Sequence, residues 1–140
     1  MRVLAVDYGD ARTGVAISDM TGSLVGETAT VASYSAEKAA DAIAALCAEK
    51  AVERIVVGRP LNMNGTAGER AEKAAAFAAL LHERTGLETA LWDERLTSVD
   101  ANRILSDAGK KRGKQRARVD AVAASLILEG YLGFLRNQNK

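Results

Sequence analysis

Carboxylates are the chemistry-bearing side chains whose positions in this 140-residue chain are least easily explained by solubility. Asp7 closes the apolar run Val3–Val6, and the pair Asp93-Glu94 closes the run that starts at Glu88. Asp120 falls inside a helical pattern. At helical spacing its neighbours are Arg116, Ala123, Ala124 and Ile127, which puts it at the edge of a packed face. Each acid alone has an ordinary explanation as a helix cap, a turn residue or a surface charge. Brought together in one cleft they would repel one another unless a hard cation neutralised them. The chain has one histidine, His82, and one cysteine, Cys47. An oxygen-only ligand set therefore points to magnesium or manganese rather than zinc. Two such ions roughly 4 Å apart suit phosphodiester hydrolysis, activating water and stabilising the leaving oxygen. The pattern alone does not choose between Asp93 and Glu94, because moving the strand end by one residue swaps them.

Other polar segments fall around these acids. Asp7-Tyr8-Gly9-Asp10-Ala11-Arg12-Thr13-Gly14 combines a carboxylate with glycines that permit a tight turn or a close approach to phosphate, and Asp10 in that turn points to water. Gly58-Arg59-Pro60-Leu61-Asn62-Met63-Asn64-Gly65-Thr66 joins a strand end to a helix N-terminus, where an anion or a rigid turn would be equally at home. It lacks the Gly-Lys-Ser/Thr ending of a Walker loop. Residues 110–118 carry Lys110, Lys111, Arg112, Lys114, Arg116 and Arg118 with no acid. The whole chain has a net charge of +1, yet without this segment it would be acidic, so the positive charge is concentrated where phosphate could be held. Cys47 lies in an apolar helical stripe and reads as core, as do Phe77 and Trp92. His82 reads as an exposed helical residue.

Period and punctuation place these residues on elements. Strands are expected at Val3–Val6, Thr13–Ser18, Leu24–Ala32, Arg54–Val57 and Glu88–Asp93, with a turn at 21–23. The fourth is expected to stop at Gly58 and Pro60. Helical spacing runs from Ser35 to about Lys50. A second helix starts from a capping box of Thr66 and Glu69, carries Ala71, Ala74, Ala78 and Leu81 on its inner face, and ends at Gly86. A short helix is expected at 98–108. The last runs from about Arg116 to Leu135, with Val119, Val122, Ala123, Leu126 and Ile127 inward. The order predicts an α/β fold: a three-stranded antiparallel meander, then two parallel strands joined by helical crossovers, in one five-stranded mixed sheet. Ligands of such sheets collect beyond the carboxyl ends of the parallel strands, where Asp7 and Asp93-Glu94 fall.

Composition agrees with one domain spanning 1–140. Apolar residues are 48% and charged residues 26%, ordinary for a globular protein. One cysteine and one histidine exclude disulfide frameworks and zinc fingers. The longest apolar run, Ala121–Leu128, falls short of the roughly 20 residues that cross a bilayer. No signal-peptide pattern opens the chain, so a cytoplasmic location with no membrane partner is expected.

Four blocks, in order, resemble the YqgF family, the pre-16S ribosomal RNA nucleases also described as Holliday junction resolvase-like proteins. They are Asp7-Tyr8-Gly9…Arg12…Gly14-Val15-Ala16, Val57–Gly65, Asp93-Glu94-Arg95-Leu96-Thr97-Ser98, and Val119-Asp120-Ala121-Val122-Ala123-Ala124…Ile127-Leu128. The resemblance covers essentially the whole chain. It implies a ribonuclease H-like fold and a metal-dependent nuclease, with Asp7, Glu94 and Asp120 as catalytic metal ligands for Mg2+ or Mn2+. On that reading Asp7 bridges two ions, and Arg12, Arg95 and the 110–118 segment hold flanking phosphates. The expected partner is structured RNA, the 5′ end of pre-16S ribosomal RNA, on a monomer or weak homodimer. Two alternatives are a resolvase acting on four-way DNA, which needs two active sites and hence a dimer, and a non-catalytic RNA-binding or transcription-accessory module. Asp10 and Ala11 depart from the small polar and basic residues expected in that turn, leaving Arg12 as the nearby cation.

Overall fold

A computed structural model describes residues 1–96 and 115–138, with the side chains of 115–120 outside the description. Strands β1 (Val3–Asp7), β2 (Arg12–Ser18) and β3 (Val25–Ala32) form the antiparallel meander. Helix α1 (Ala36–Glu49), strand β4 (Arg54–Arg59), helix α2 (Glu69–Thr85) and strand β5 (Glu88–Asp93) follow. A 3₁₀ turn at Glu94–Leu96 and the long helix α3 (Gln115–Gln138) complete the described chain. The sheet order is β3-β2-β1-β4-β5, with β1 parallel to β4 and β4 parallel to β5. The expected helix at 98–108, with the basic residues Lys110, Lys111, Arg112 and Lys114, lies outside the described residues.

The central strands are apolar on both faces because both faces are covered. Leu4 and Val6 of β1 join Val15, Ile17, Ile55 and Val57 under α1 and α2, which contribute Ile43, Cys47, Phe77 and Leu81. The alternate residues Val3 and Ala5 join Ala16 and Val56 under α3, which contributes Ala124, Ile127, Leu128, Tyr131 and Leu132. By the same alternation Asp7 follows Val3 and Ala5 towards α3, and Tyr8 follows Leu4 and Val6 towards α2. The ring of Tyr8 accordingly stacks on Phe77, with centroids 4.3 Å apart. Cys47 is buried, and burial pushes its thiol up to about 11, the behaviour of an inert core residue. His82 is exposed and places Nδ1 2.7 Å from the Leu87 carbonyl. No helix among the described residues is long and apolar enough to cross a membrane.

Three local expectations are corrected. Strand β4 does not stop at Gly58; it continues to Arg59, with Gly58 paired to Trp92 and Arg59 to Asp93. Glycine is tolerated there because a side chain from another element needs the space. A capping box does not open α2. Its N-cap is Gly68, with no side-chain cap, because Thr66 bonds Asn64 and Asn62 within the preceding turn. At its other end Gly86 takes the left-handed conformation (φ 70°) and donates to His82, as the glycine there implies. In α3 the buried stripe is Ala124, Ile127, Leu128, Tyr131 and Leu132; Val122, Ala123 and Leu126 are only half-buried. The helix is rolled relative to the periodicity because several of its apolar residues exceed one stripe.

Candidate active site at the carboxyl edge of the sheet

Asp7 is the last residue of β1, paired across the antiparallel ladder with Gly14. The turn beyond it is pinned by two buried hydroxyls. Ser33 Oγ donates to the Gly9 carbonyl at 2.5 Å, and Thr13 Oγ1 accepts from the Gly9 N–H at 3.3 Å. The Ser33 N–H also donates to the Ala11 carbonyl at 2.9 Å. A strand end is thereby held against relaxation by side chains from β2 and from the residue after β3. Arg12 opens β2 at this same edge.

Glu94 reaches the site from the far side of β4. Asp93 closes β5, and its Oδ1 accepts from the Arg95 backbone N–H at 2.9 Å, turning the chain into the 3₁₀ turn. Glu94 is thereby directed back over Gly58. A Cβ placed on Gly58 would lie 3.2 Å from the Glu94 carboxyl carbon, 3.2 Å from Ile127 Cγ1 and in collision with Ile127 Cδ1. Gly58 is thus the floor on which a side chain from α3 and the carboxyl of Glu94 meet. The absence of its side chain is a packing requirement.

The electrostatics distinguish the two neighbouring acids that the sequence pattern leaves open. Burial, and then the charge of Asp7, push the Glu94 carboxyl up to about 7; Arg70 opposes the rise and Asp93 adds to it. Asp93 moves the other way. The Arg95 guanidinium holds it below the usual range, through Nε at 3.0 Å from both carboxylate oxygens and Nη2 at 2.7 Å from Oδ2. Asp93 is therefore a satisfied structural carboxylate. Glu94 is a half-buried one whose negative charge Arg70 compensates only in part, with another carboxylate close enough to be felt. Asp10, the other alternative, is exposed and paired with Lys73 at 3.1 Å. Two oxygen-donor acids within each other's field in a partly dry setting fit a hard divalent cation, which removes the desolvation and repulsion that raise Glu94.

Asp120 lies in α3, one helical turn before the fully buried Ala124, with its own side chain outside the described residues. Arg116 and Arg118 share that helix and that limit. Among the described residues no three acid, histidine or cysteine side chains converge. The structure thus brings Asp7 and Glu94 together and places the helix bearing Asp120 over the face to which they belong. Arg95, expected to contact phosphate, is paired with Asp93. Sequence reasoning passed over Arg59 and Arg70 as individual residues. The signal that could have found Arg59 is its place immediately after Gly58 at the strand end.

The sequence model of the family described as "RuvX: Holliday junction resolvase" matches residues 1–133. A protein of Clostridium novyi named "Putative pre-16S rRNA nuclease" is 44% identical over 132 residues, 94% of this chain and 98% of its own length. One of Halothermothrix orenii with the same name is 41% identical over 140 residues, covering 100% and 98%. Among solved structures, T. thermophilus RuvC in complex with a Holliday junction substrate superposes with a TM-score of 0.63 at 13% identity, over 96% of each chain. The fowlpox virus Holliday junction resolvase gives 0.58 at 12% identity, over 99% of each chain. These two likenesses establish the ribonuclease H-like fold. Shared sequence over nearly the full length goes further: the chain belongs to the RuvX family of nucleases.

Proposed function

We propose that this protein is a metal-dependent endonuclease that matures the 5′ end of pre-16S ribosomal RNA, using Asp7, Glu94 and Asp120 to hold Mg2+ or Mn2+. The observation that carries the reading is the half-buried Glu94 carboxyl resting on Gly58 within the field of Asp7, in a chain whose relatives bear the name of pre-16S rRNA nucleases. A divalent cation bound there supplies Lewis acidity and lowers the pKa of water. The chain's own residues do the rest. Asp7 presents its oxygens from the end of β1 and Glu94 from the 3₁₀ turn that follows β5, so the two acids are held by separate elements of the sheet edge. Asp93 and Arg95 lock the turn that aims Glu94, and Ile127 walls the site on the α3 side. Arg12 and the cations of 110–118 supply positive charge for the flanking phosphates, which makes binding weaken with salt.

The family description and the fold neighbours favour a second reading, cleavage of four-way DNA. One experiment compares them: the purified protein with magnesium or manganese, offered a labelled precursor ribosomal RNA end and a four-way DNA junction, with Asp7→Asn and Glu94→Gln as controls. RNA cleavage abolished by both substitutions supports the maturation nuclease. Paired, symmetric junction cuts overturn it in favour of a resolvase. RNA binding without cleavage, unchanged in both variants, overturns the catalytic reading in favour of a binding module.

A further inference from the structure

Arg59 carries a buried donor for which the described residues supply no acceptor. It is the last residue of β4, half-buried, and its Nε is fully enclosed with no partner. A buried donor without an acceptor costs stability, so a guanidinium held in this way calls for an explanation. The obvious acceptor is already engaged. Asp93 faces Arg59 across the β4–β5 ladder, and the Arg59 charge helps to hold its carboxyl down, yet both Asp93 oxygens are taken by Arg95. Arg95 neutralises Asp93 and leaves the charge of Arg59 in surplus. A third cation, Arg70 from the first turns of α2, is near enough to lower Glu94.

The arrangement has a direction. By strand alternation Arg59 belongs to the α2 side of the sheet, and Gly58 beside it to the α3 side, where the Glu94 carboxyl rests. At one sheet edge the metal-seeking carboxylates thus lie on one side and a guanidinium with charge to spare on the other. A nucleic-acid strand whose scissile phosphate lies at the carboxylates would cross this edge and bring its next phosphate to the cation. The planar fork of arginine matches two phosphate oxygens, and its weak hydration lets it wait half-buried at modest cost.

Resting on the nuclease reading above, we infer that Arg59 grips a non-scissile phosphate of the substrate strand, immediately beside the cleavage site, and so sets the strand's register over Asp7 and Glu94. Arg59 is a substrate contact in this scheme, and Asp93 with Arg95 is the pair that keeps it available.

The test is binding, measured by fluorescence anisotropy with a labelled RNA hairpin bearing a single-stranded 5′ tail, in chelator so that nothing is cut. Arg59→Gln is compared with the native protein and with Lys50→Gln, which removes one charge at the opposite end of the sheet beside Glu27. Arg59→Gln is expected to weaken binding about tenfold and to flatten the plot of log affinity against log salt by roughly one phosphate contact, with Lys50→Gln changing neither. A scan with single methylphosphonates (2′-O-methyl at the modified residue) should find one position that weakens native binding but no longer weakens that of Arg59→Gln. An unchanged salt slope and an unchanged scan in a folded Arg59→Gln overturn the inference. Should that variant not fold, the scan is repeated on Arg59→Lys. A position whose neutralisation costs less there than in the native protein supports the contact, and identical profiles overturn it. Cleavage is read separately: a native protein that shows the Arg59-dependent profile but never cuts retains the phosphate contact and loses the nuclease reading.

Discussion

Glu94 is placed where folding alone would not have put a carboxylate. Its ordinary pKa of 4.5 rises to about 7 in the fold. Below pH 4.5 the group is neutral in both folded and unfolded chains. Between 4.5 and 7 the unfolded chain gives up the proton and the folded one keeps it, so stability falls as pH rises through that window and levels off above it. Glu94→Gln removes the penalty. Thermal melts in chelator should therefore find the variant more stable than the native protein at pH 8, by about 1–3 kcal/mol, with the gap closing towards pH 4. Magnesium should reverse the ranking at pH 8 by stabilising the native protein alone, and the same substitution should abolish cleavage. Asp93 has a different job. Because its carboxylate caps the turn and occupies Arg95, Asp93→Ala should leave metal-dependent cleavage present but reduced about 10–100-fold, the loss expected when a residue orients a ligand from behind. Equal cleavage by this variant and the native protein would show that Glu94 is aimed without it.

At the scale of elements, the site depends on how closely α3 approaches β4. Gly58 is the contact point, and Gly58→Ala would drive a methyl into Ile127 and towards Glu94. Because the colliding atom is the far end of a flexible side chain, the helix can give a little. A loss of about 1–3 kcal/mol is expected in denaturant unfolding. Cleavage should fall by more than that loss of stability explains, since Glu94 is displaced with the helix. Restoring space with the double variant Gly58→Ala, Ile127→Val should recover part of both, and no recovery would place the fault elsewhere. At the other end of α2, Gly86 has an open surrounding and a φ of 70°, so Gly86→Ala should cost about 1 kcal/mol with cleavage unchanged.

For the molecule as a whole, the charge map is uneven. Six of its nineteen basic residues fall in 110–118, ahead of Asp120 in the chain. Replacing Lys110, Lys111, Arg112 and Lys114 with glutamine should weaken RNA binding at low salt and reduce the salt dependence by roughly one unit for each phosphate no longer held, without altering the melting of the sheet. A salt slope equal to the native one would show that the segment is solvated and carries no strand. The two faces of the sheet divide the labour. The α1 and α2 face holds the larger core and the stack of Tyr8 on Phe77, whereas the α3 face carries the smaller core and the Glu94 carboxyl beside Ile127.

Strand and helix order was legible in the chain because the period of apolar residues is dictated locally, at two in strands and near 3.6 in helices. Asp7 could be singled out the same way, as a charge ending an apolar run, and the family resemblance preferred Glu94 to Asp93. What the chain could not disclose were matters of distance between elements. The continuation of β4 through Gly58 rests on pairing with β5, and the space left by the glycine is taken by an isoleucine nearly 70 residues away. The roll of α3 depends on which of several apolar stripes meets the sheet. The opposite fates of Asp93 and Glu94, adjacent in sequence, were decided by which one a guanidinium could reach and which one burial left exposed to the field of Asp7. Local pattern determines what each residue can form; only the tertiary structure determines which charges are compensated, as Asp93 is by Arg95, and which carry a cost of burial, as Glu94 does.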